Sequence, residues 1–218
     1  MSLNDLQLQF PQLLNIPFCT TAAEAEQRAD EVAFELGLFT RTARWESGGS
    51  TRNVRYTDRE NQVQLSVSIT GSNVMGKQAS WSFTCCAERT DVGLTLAAPR
   101  RIRVSSFRKD AEELVSRLRS LQVLSKGRLI GELSKWDKTK RHGYLQCAPG
   151  VRLFVSMDDI APTERPHVHF KSWFSFQVQQ TPKGQRAVNA RHCPQWVTAE
   201  AANRKLQREA SRVRLHER

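Results

Sequence analysis

Residues 135–156 read KWDKTKRHGYLQCAPGVRLFVS, a Trp, a His, a Tyr and a Phe set among five basic residues and one acid. Alternate side chains of a strand share a face. In RHGYLQ, His142 and Tyr144 therefore point one way, and Gly143 and Leu145 the other. In RLFVSM the same parity joins Phe154 to Ser156 and sets Leu153 and Val155 opposite. Pairing the two segments through the CAPG turn predicts a hairpin whose aliphatic face lies on a core, leaving His142, Tyr144 and Phe154 in solvent. Around those rings stand Lys135, Lys138, Lys140, Arg141 and Arg152. Unpaired bases need flat surfaces to stack on, and the phosphates between them need cations.

Extended in both directions, the stretch becomes GELSKWDKTKRHGYLQCAPGVRLFVSMDDI, with FSFQVQQTPKGQRAVNA after it. In order, it holds Gly, an apolar residue, Lys-Trp, a short loop, a ring-Gly-ring motif, a turn, a Val-Phe-Val-like motif and a last strand after Lys-Gly. Over about 65 of the 218 residues it resembles a cold-shock domain. The resemblance implies a five-stranded OB-type barrel binding single-stranded RNA or DNA through surface aromatics. Lys135 and Trp136 match the Lys-Trp that opens the family's binding face, and His142 and Tyr144 stand where its first motif has two Phe, with Gly143 between. Phe154 matches the Phe of the second motif, and Lys183-Gly184 the Lys-Gly before the last strand. Lys140, Arg141 and Lys183 are expected on phosphates.

The chain departs from the family at Arg141, where the motif has its first Gly, and at Ser156, where it has His. Asp137 comes after the Trp where many members have Phe or Asn, and Met157 stands where another aromatic is common. Each stacked base contributes roughly 1–3 kcal/mol. Losing one or two platforms predicts modest, sequence-tolerant affinity, and the surrounding bases predict that salt weakens it.

The rest of the chain supplies context. Its formal net charge of +11 and pI near 10.0 point to polyanionic partners. By segment the charge is +2 over residues 1–126, +6 over 127–192 and +3 over 193–218, so the excess sits in the barrel and the C-terminal segment. Residues 1–124 read as a separate α+β domain. Thr21 and Glu24 have capping-box spacing before a helical apolar set (Ala25, Ala29, Val32, Ala33, Leu36), ended by Gly37. Period-two stretches from Phe39 to Val104, carrying Trp45 and Trp81 in packing roles, predict an antiparallel meander with one wet face. A second helix begins near Phe107, and the boundary is expected near residues 122–127. The fold class is thus an α+β domain (helix, meander, helix), an all-β cold-shock-like barrel over 127–192, and a basic amphipathic helix over 194–218. That last helix could dock on its own barrel, lie on phosphates or lie on a membrane surface; its narrow Ala-rich stripe favours docking.

No apolar run is long enough to span a bilayer, the N-terminus MSLNDLQLQFPQLLN lacks a basic leader, and the five Cys have no CxxC spacing. These features predict a cytoplasmic chain with inert thiols, Cys147 included. His167-x-His169 and His192-Cys193 fit no standard zinc finger, so no metal or cofactor is assigned. No catalytic motif is present, and Asp158-Asp159, the nearest acid pair, diverges on a strand, so no catalytic residue is assigned. Trp173, Phe174 and Phe176 read as core. The competing reading is a protein-interaction module with an eroded barrel, supported by Arg141 and Ser156, in which residues 1–126 recruit a partner or self-associate. Arg100, Arg101 and Arg103 offer a second nucleic-acid contact there.

Overall fold

The structure, a computed structural model, describes residues 21–45, 51–60, 62–74, 77–98, 102–124 and 127–194. Cys19, Arg100, Arg101 and, beyond Pro194, the expected C-terminal helix lie outside the described residues. The chain divides into two compact units, Met1–Arg119 and Ser120–Arg218.

In the first unit, helix α1 (Ala22–Glu35) opens with the capping box: the Glu24 amide donates to Thr21 Oγ1 at 3.1 Å, and the Thr21 amide to Glu24 Oε2 at 3.3 Å. It buries Ala25, Ala29, Val32 and Ala33, and the chain leaves it at Gly37 with φ +74°. Strands β1 (Thr40–Trp45), β2 (Thr51–Thr57), β3 (Val63–Val74), β4 (Lys77–Arg89) and β5 (Leu94–Ala97) pair antiparallel in sequence order. A short β6 (Ile102–Arg103) also pairs with β4. Val104, expected in a strand, instead begins helix α2 (Val104–Arg119).

Alternation along β3 buries Val63, Leu65, Val67 and Ile69, and along β4 Trp81, Phe83, Cys85 and Ala87. Phe107 of α2 stacks on Phe83 at 4.6 Å between centroids. At the other end of the sheet, Tyr56 donates its hydroxyl to Asp30 at 2.7 Å, and Arg41 and Arg52 pair with Glu26. Burial and the Asp30 contact push the Tyr56 phenol far above its usual pKa. Burial likewise pushes the Cys85 thiol up to about 12.

The second unit is a closed five-stranded β-barrel. Its strands are β8 (Arg128–Asp137), β9 (His142–Ala148), β10 (Val151–Ser156), β11 (Trp173–Thr181) and β12 (Gly184–His192). The order β8-β9-β10-β12-β11 returns to β8, with every pairing antiparallel except β10 to β12. A two-residue β7 (Val123–Leu124) pairs with the start of β8. Leu129, Leu133, Leu145, Leu153, Val155, Phe174 and Phe176 fill the interior, all under 5% exposed. Phe174 and Phe176 thus have the core role read from their parity, while Trp173 is half-buried. Two short 3-10 helices, Met157–Asp159 and Pro162–His167, cover the passage from β10 to β11. Among the described residues no helix is long and apolar enough to cross a membrane.

Candidate nucleic-acid interface

The β9–β10 hairpin pairs Tyr144 with Phe154 and His142 with Ser156, while Leu145 pairs with Leu153 and Gly143 with Val155. Directly opposed residues project to the same side, so the buried Leu and Val pairs fix the ring-bearing side as the outer one. Tyr144 is 38% exposed, and His142 and Phe154 are half-buried. Phe154 sits at the centre: its ring centroid lies 5.3 Å from that of His142, tilted 41°, and 6.0 Å from that of Tyr144, edge-on at 81°.

The register extends this pair into a row across all five strands. Lys135 on β8 pairs with Tyr144, Tyr144 with Phe154, Phe154 with Arg186 on β12, and Arg186 with Gln179 on β11. Lys135 is exposed, and the Arg186 guanidinium carbon lies 5.8 Å from the Phe154 centroid, close enough for a cation–π contact. Arg186 is itself anchored. It pairs with Asp159 and donates to Ser156 Oγ at 3.2 Å, while Asp159 accepts from the Ser156 amide and hydroxyl, both at 2.8 Å. Ser156 thus belongs to a polar clamp on the flank of Phe154.

Trp136 does not join the row. The register shifts between Leu133 and Lys135, leaving Ser134 as an extra residue, a β-bulge. Lys135 thereby turns outward beside Tyr144, and Trp136 pairs with Gly143 on the parity of core residue Val155. A β-carbon on Gly143 would meet the carbonyl oxygen of Lys135 at 2.1 Å and Cε3 of Trp136 at 2.8 Å. The half-buried indole therefore lies against the Gly143 backbone, on the opposite parity from Tyr144 and Phe154.

Cations flank the row on both sides along the strands. Lys140 and Arg141 are exposed in the turn from β8 to β9, at the His142 end. Asp137 Oδ1 accepts the Lys140 amide at 2.9 Å. That backbone hydrogen bond, with a lesser contribution from the charges of Lys140 and His142, holds the Asp137 carboxyl below the usual range. Arg141 has φ +54°, the left-handed conformation that glycine adopts freely, and its carbonyl accepts the Met157 amide at 2.9 Å. Arg152 is exposed and pairs with Gln146 at the other end of the hairpin. Lys183 is exposed in the turn between β11 and β12. Because β12 runs parallel to β10, Lys183 lies toward the Arg152 end, on the order of 10 Å along the strand from Arg186.

Sequence reasoning placed Lys135, Trp136, His142, Tyr144 and Phe154 on one face; the register brings together all of these but Trp136, and adds Arg186 and its Ser156–Asp159 anchor, which that reasoning missed. Their only signal was parity in QRAVNA, because a parallel neighbour cannot be read from local sequence. Cys147 is buried, its thiol donating to the Val151 carbonyl at 3.6 Å, and burial pushes its pKa up to about 12, where a thiol is inert at neutral pH. No protein-family model matches the chain, and no curated protein is similar enough to count as a relative.

Proposed function

We propose that the second unit is a cold-shock-like OB barrel that binds single-stranded RNA or DNA without catalysing a reaction. Bases stack on Tyr144, Phe154 and His142. Lys135, Lys140, Arg141, Arg152 and Lys183 meet the phosphates, and Arg186 stiffens the platform by holding the Phe154 flank. The observation that carries this reading is the row Lys135–Tyr144–Phe154–Arg186 on the outer side of a closed barrel, with rings at its centre and cations at its rim. Stacking on rings accepts any base, so the reading covers RNA and DNA alike. Trp136 supports the platform from behind through Gly143 rather than offering a further stacking surface.

The test is a fluorescence-anisotropy titration with labelled single strands of about ten nucleotides at low salt. A Tyr144→Ala/Phe154→Ala variant that keeps the circular-dichroism spectrum and melting curve of the parent should lose one to several orders of magnitude in affinity, at roughly 1–3 kcal/mol per base. Unchanged affinity, or no binding by the parent, removes the reading.

One observation favours the second reading, a protein-interaction role, and it concerns the first unit. Phe34 and Phe39 are 67% and 45% exposed, edge-to-face at 5.3 Å, with the Arg59 guanidinium 4.8 Å from the Phe39 ring. Paired exposed rings beside an Arg have the composition of a protein contact. Pull-down on a Phe34→Ser/Phe39→Ser chain separates this role from strand binding, which the substitutions should leave intact.

A further inference from the structure

We propose that Glu164, His167 and His192 form a binding site for a divalent transition-metal ion of the zinc class. The sequence suggested only His167, His169, His192 and Cys193, which have no metal-site spacing; the fold gathers a different set. Glu164 and His167 lie three residues apart on the 3-10 helix Pro162–His167, where residues at i and i+3 eclipse. His192, the last residue of β12, pairs with Phe174 on β11. One donor atom from each of Glu164, His167 and His192 lies within 4.8 Å of the other two.

Two features hold these segments in register before any ion arrives. Ile160 forms a parallel bridge with Ala190, and the Ala161 amide donates to the Ala190 carbonyl at 3.2 Å, so the approach to the 3-10 helix is pinned to β12 two residues before His192. The His192 ring is bracketed by His167, parallel within 8° at 4.4 Å, and by Phe174 at 5.7 Å. His167 is exposed, so its ring can swing to converge on a shared ion. Zinc bonds of about 2.0–2.2 Å in tetrahedral geometry put donors roughly 3.3–3.6 Å apart, so the widest separation closes by about 1.2–1.5 Å. Cys193 is outside it, with its thiol against the Arg191 carbonyl at 3.7 Å.

Two imidazoles and one carboxylate are borderline ligands. They suit zinc and its neighbours in the first transition row and are too few and too nitrogen-rich for calcium or magnesium, which take six or more oxygens. Three protein donors leave a fourth position for water. The ion would clasp the β10–β11 connection to the end of β12, far along that strand from Arg186, and so is independent of single-strand binding.

The experiment uses tag-free, metal-stripped protein titrated with zinc against a chromophoric chelator. Cobalt absorption reports the geometry, and melting temperature is recorded with and without zinc. One equivalent of zinc should bind, raise the melting temperature and give tetrahedral cobalt bands, and Glu164→Gln, His167→Gln and His192→Gln should each weaken binding at least tenfold. His167→Gln alters an exposed side chain, so its result does not hang on folding. His169→Gln and Cys193→Ser should leave affinity unchanged. Zinc affinity that survives both Glu164→Gln and His167→Gln, or that is lost in His169→Gln instead, overturns the proposal.

Discussion

Replacing Arg141 with glycine separates what the β8–β9 turn needs in order to fold from what the face needs in order to bind. Arg141 sits at φ +54°. An L side chain held there costs roughly 1–2 kcal/mol. Glycine avoids that cost but loses more backbone entropy on folding, roughly 0.5–1 kcal/mol. At the centre of those ranges the balance favours glycine by about 0.5–1 kcal/mol, and the substitution spares the Arg141 carbonyl that accepts the Met157 amide and the Asp137 carboxylate that accepts the Lys140 amide. For a unit of this size the melting temperature of Arg141→Gly should rise by about 2–8 °C. Affinity should move the other way. Loss of one exposed cation costs about 0.5–1 kcal/mol at low salt, a 2–5-fold weakening. The slope of log affinity against log salt should lose about 0.7 of its magnitude for a single strand. Calorimetry and anisotropy at three or four salt concentrations give both quantities from one preparation. A lower melting temperature would mean that the guanidinium holds the turn. An unchanged salt slope would mean that no phosphate passes Arg141.

Three further substitutions probe the same surface and the packing beneath it. Gly143→Ala drives a methyl group into the Lys135 carbonyl and the Trp136 ring, and should destabilise the second unit by about 3 kcal/mol or more in urea denaturation; a near-neutral result would dismiss the close approach of β8. Phe176→Ala, at a fully buried position, should cost about 3–5 kcal/mol by the same measurement, and a cost under about 1 would mean that the barrel interior is not packed around it. Asp137→Asn keeps an oxygen to accept the Lys140 amide but removes the carboxylate. Because the folded carboxyl titrates below its unfolded value, the stability it contributes is present above about pH 4 and is lost as pH falls through the folded value. Denaturation midpoints of Asp137→Asn should therefore show a shallower loss on the acid side, and single strands should bind it more tightly; an unchanged acid limb would contradict the lowered pKa.

Much of the barrel was legible because its hairpin obeys a period of two over His142–Gln146 and Arg152–Ser156, the register shifting only beside the turn. His142, Tyr144 and Phe154 alternate with Gly143, Leu145 and Val155, and the aliphatic set leaves only one way to orient the pair. The first helix was equally legible, its cap and its Ala25-Ala29-Val32-Ala33 stripe both being local signals. What sequence could not supply is long-range or depends on backbone counting. Arg186 meets Phe154 through a parallel contact between strands 32 positions apart, which leaves no mark in either segment. Glu164 meets His192 for the same reason. Val104 looked like the end of a strand because it continues the alternation of Ile102, yet it begins a helix, since a single β-branched residue does not outweigh the packing of the α2 stripe.

The fate of Trp136 shows how one inserted residue reassigns chemistry. Without the bulge at Ser134, strict alternation from the inward Leu133 would turn Lys135 into the barrel opposite Gly143 and Trp136 out opposite His142. A lysine would then be buried in an apolar interior at a cost of several kcal/mol, and the indole would be exposed. The bulge reverses both: the ammonium reaches solvent next to a ring, and the indole covers Gly143, where no side chain fits. The absence of a β-carbon at Gly143 and the extra residue at Ser134 are therefore one device, in which the glycine makes the space and the bulge turns the Trp to fill it. The outer face keeps a cation at the edge of its ring row, with an aromatic floor behind the strand that carries Tyr144. Residue type alone groups Lys135 and Trp136 on one surface, whereas their register turns Lys135 outward beside Tyr144 and lays Trp136 against Gly143 on the opposite parity.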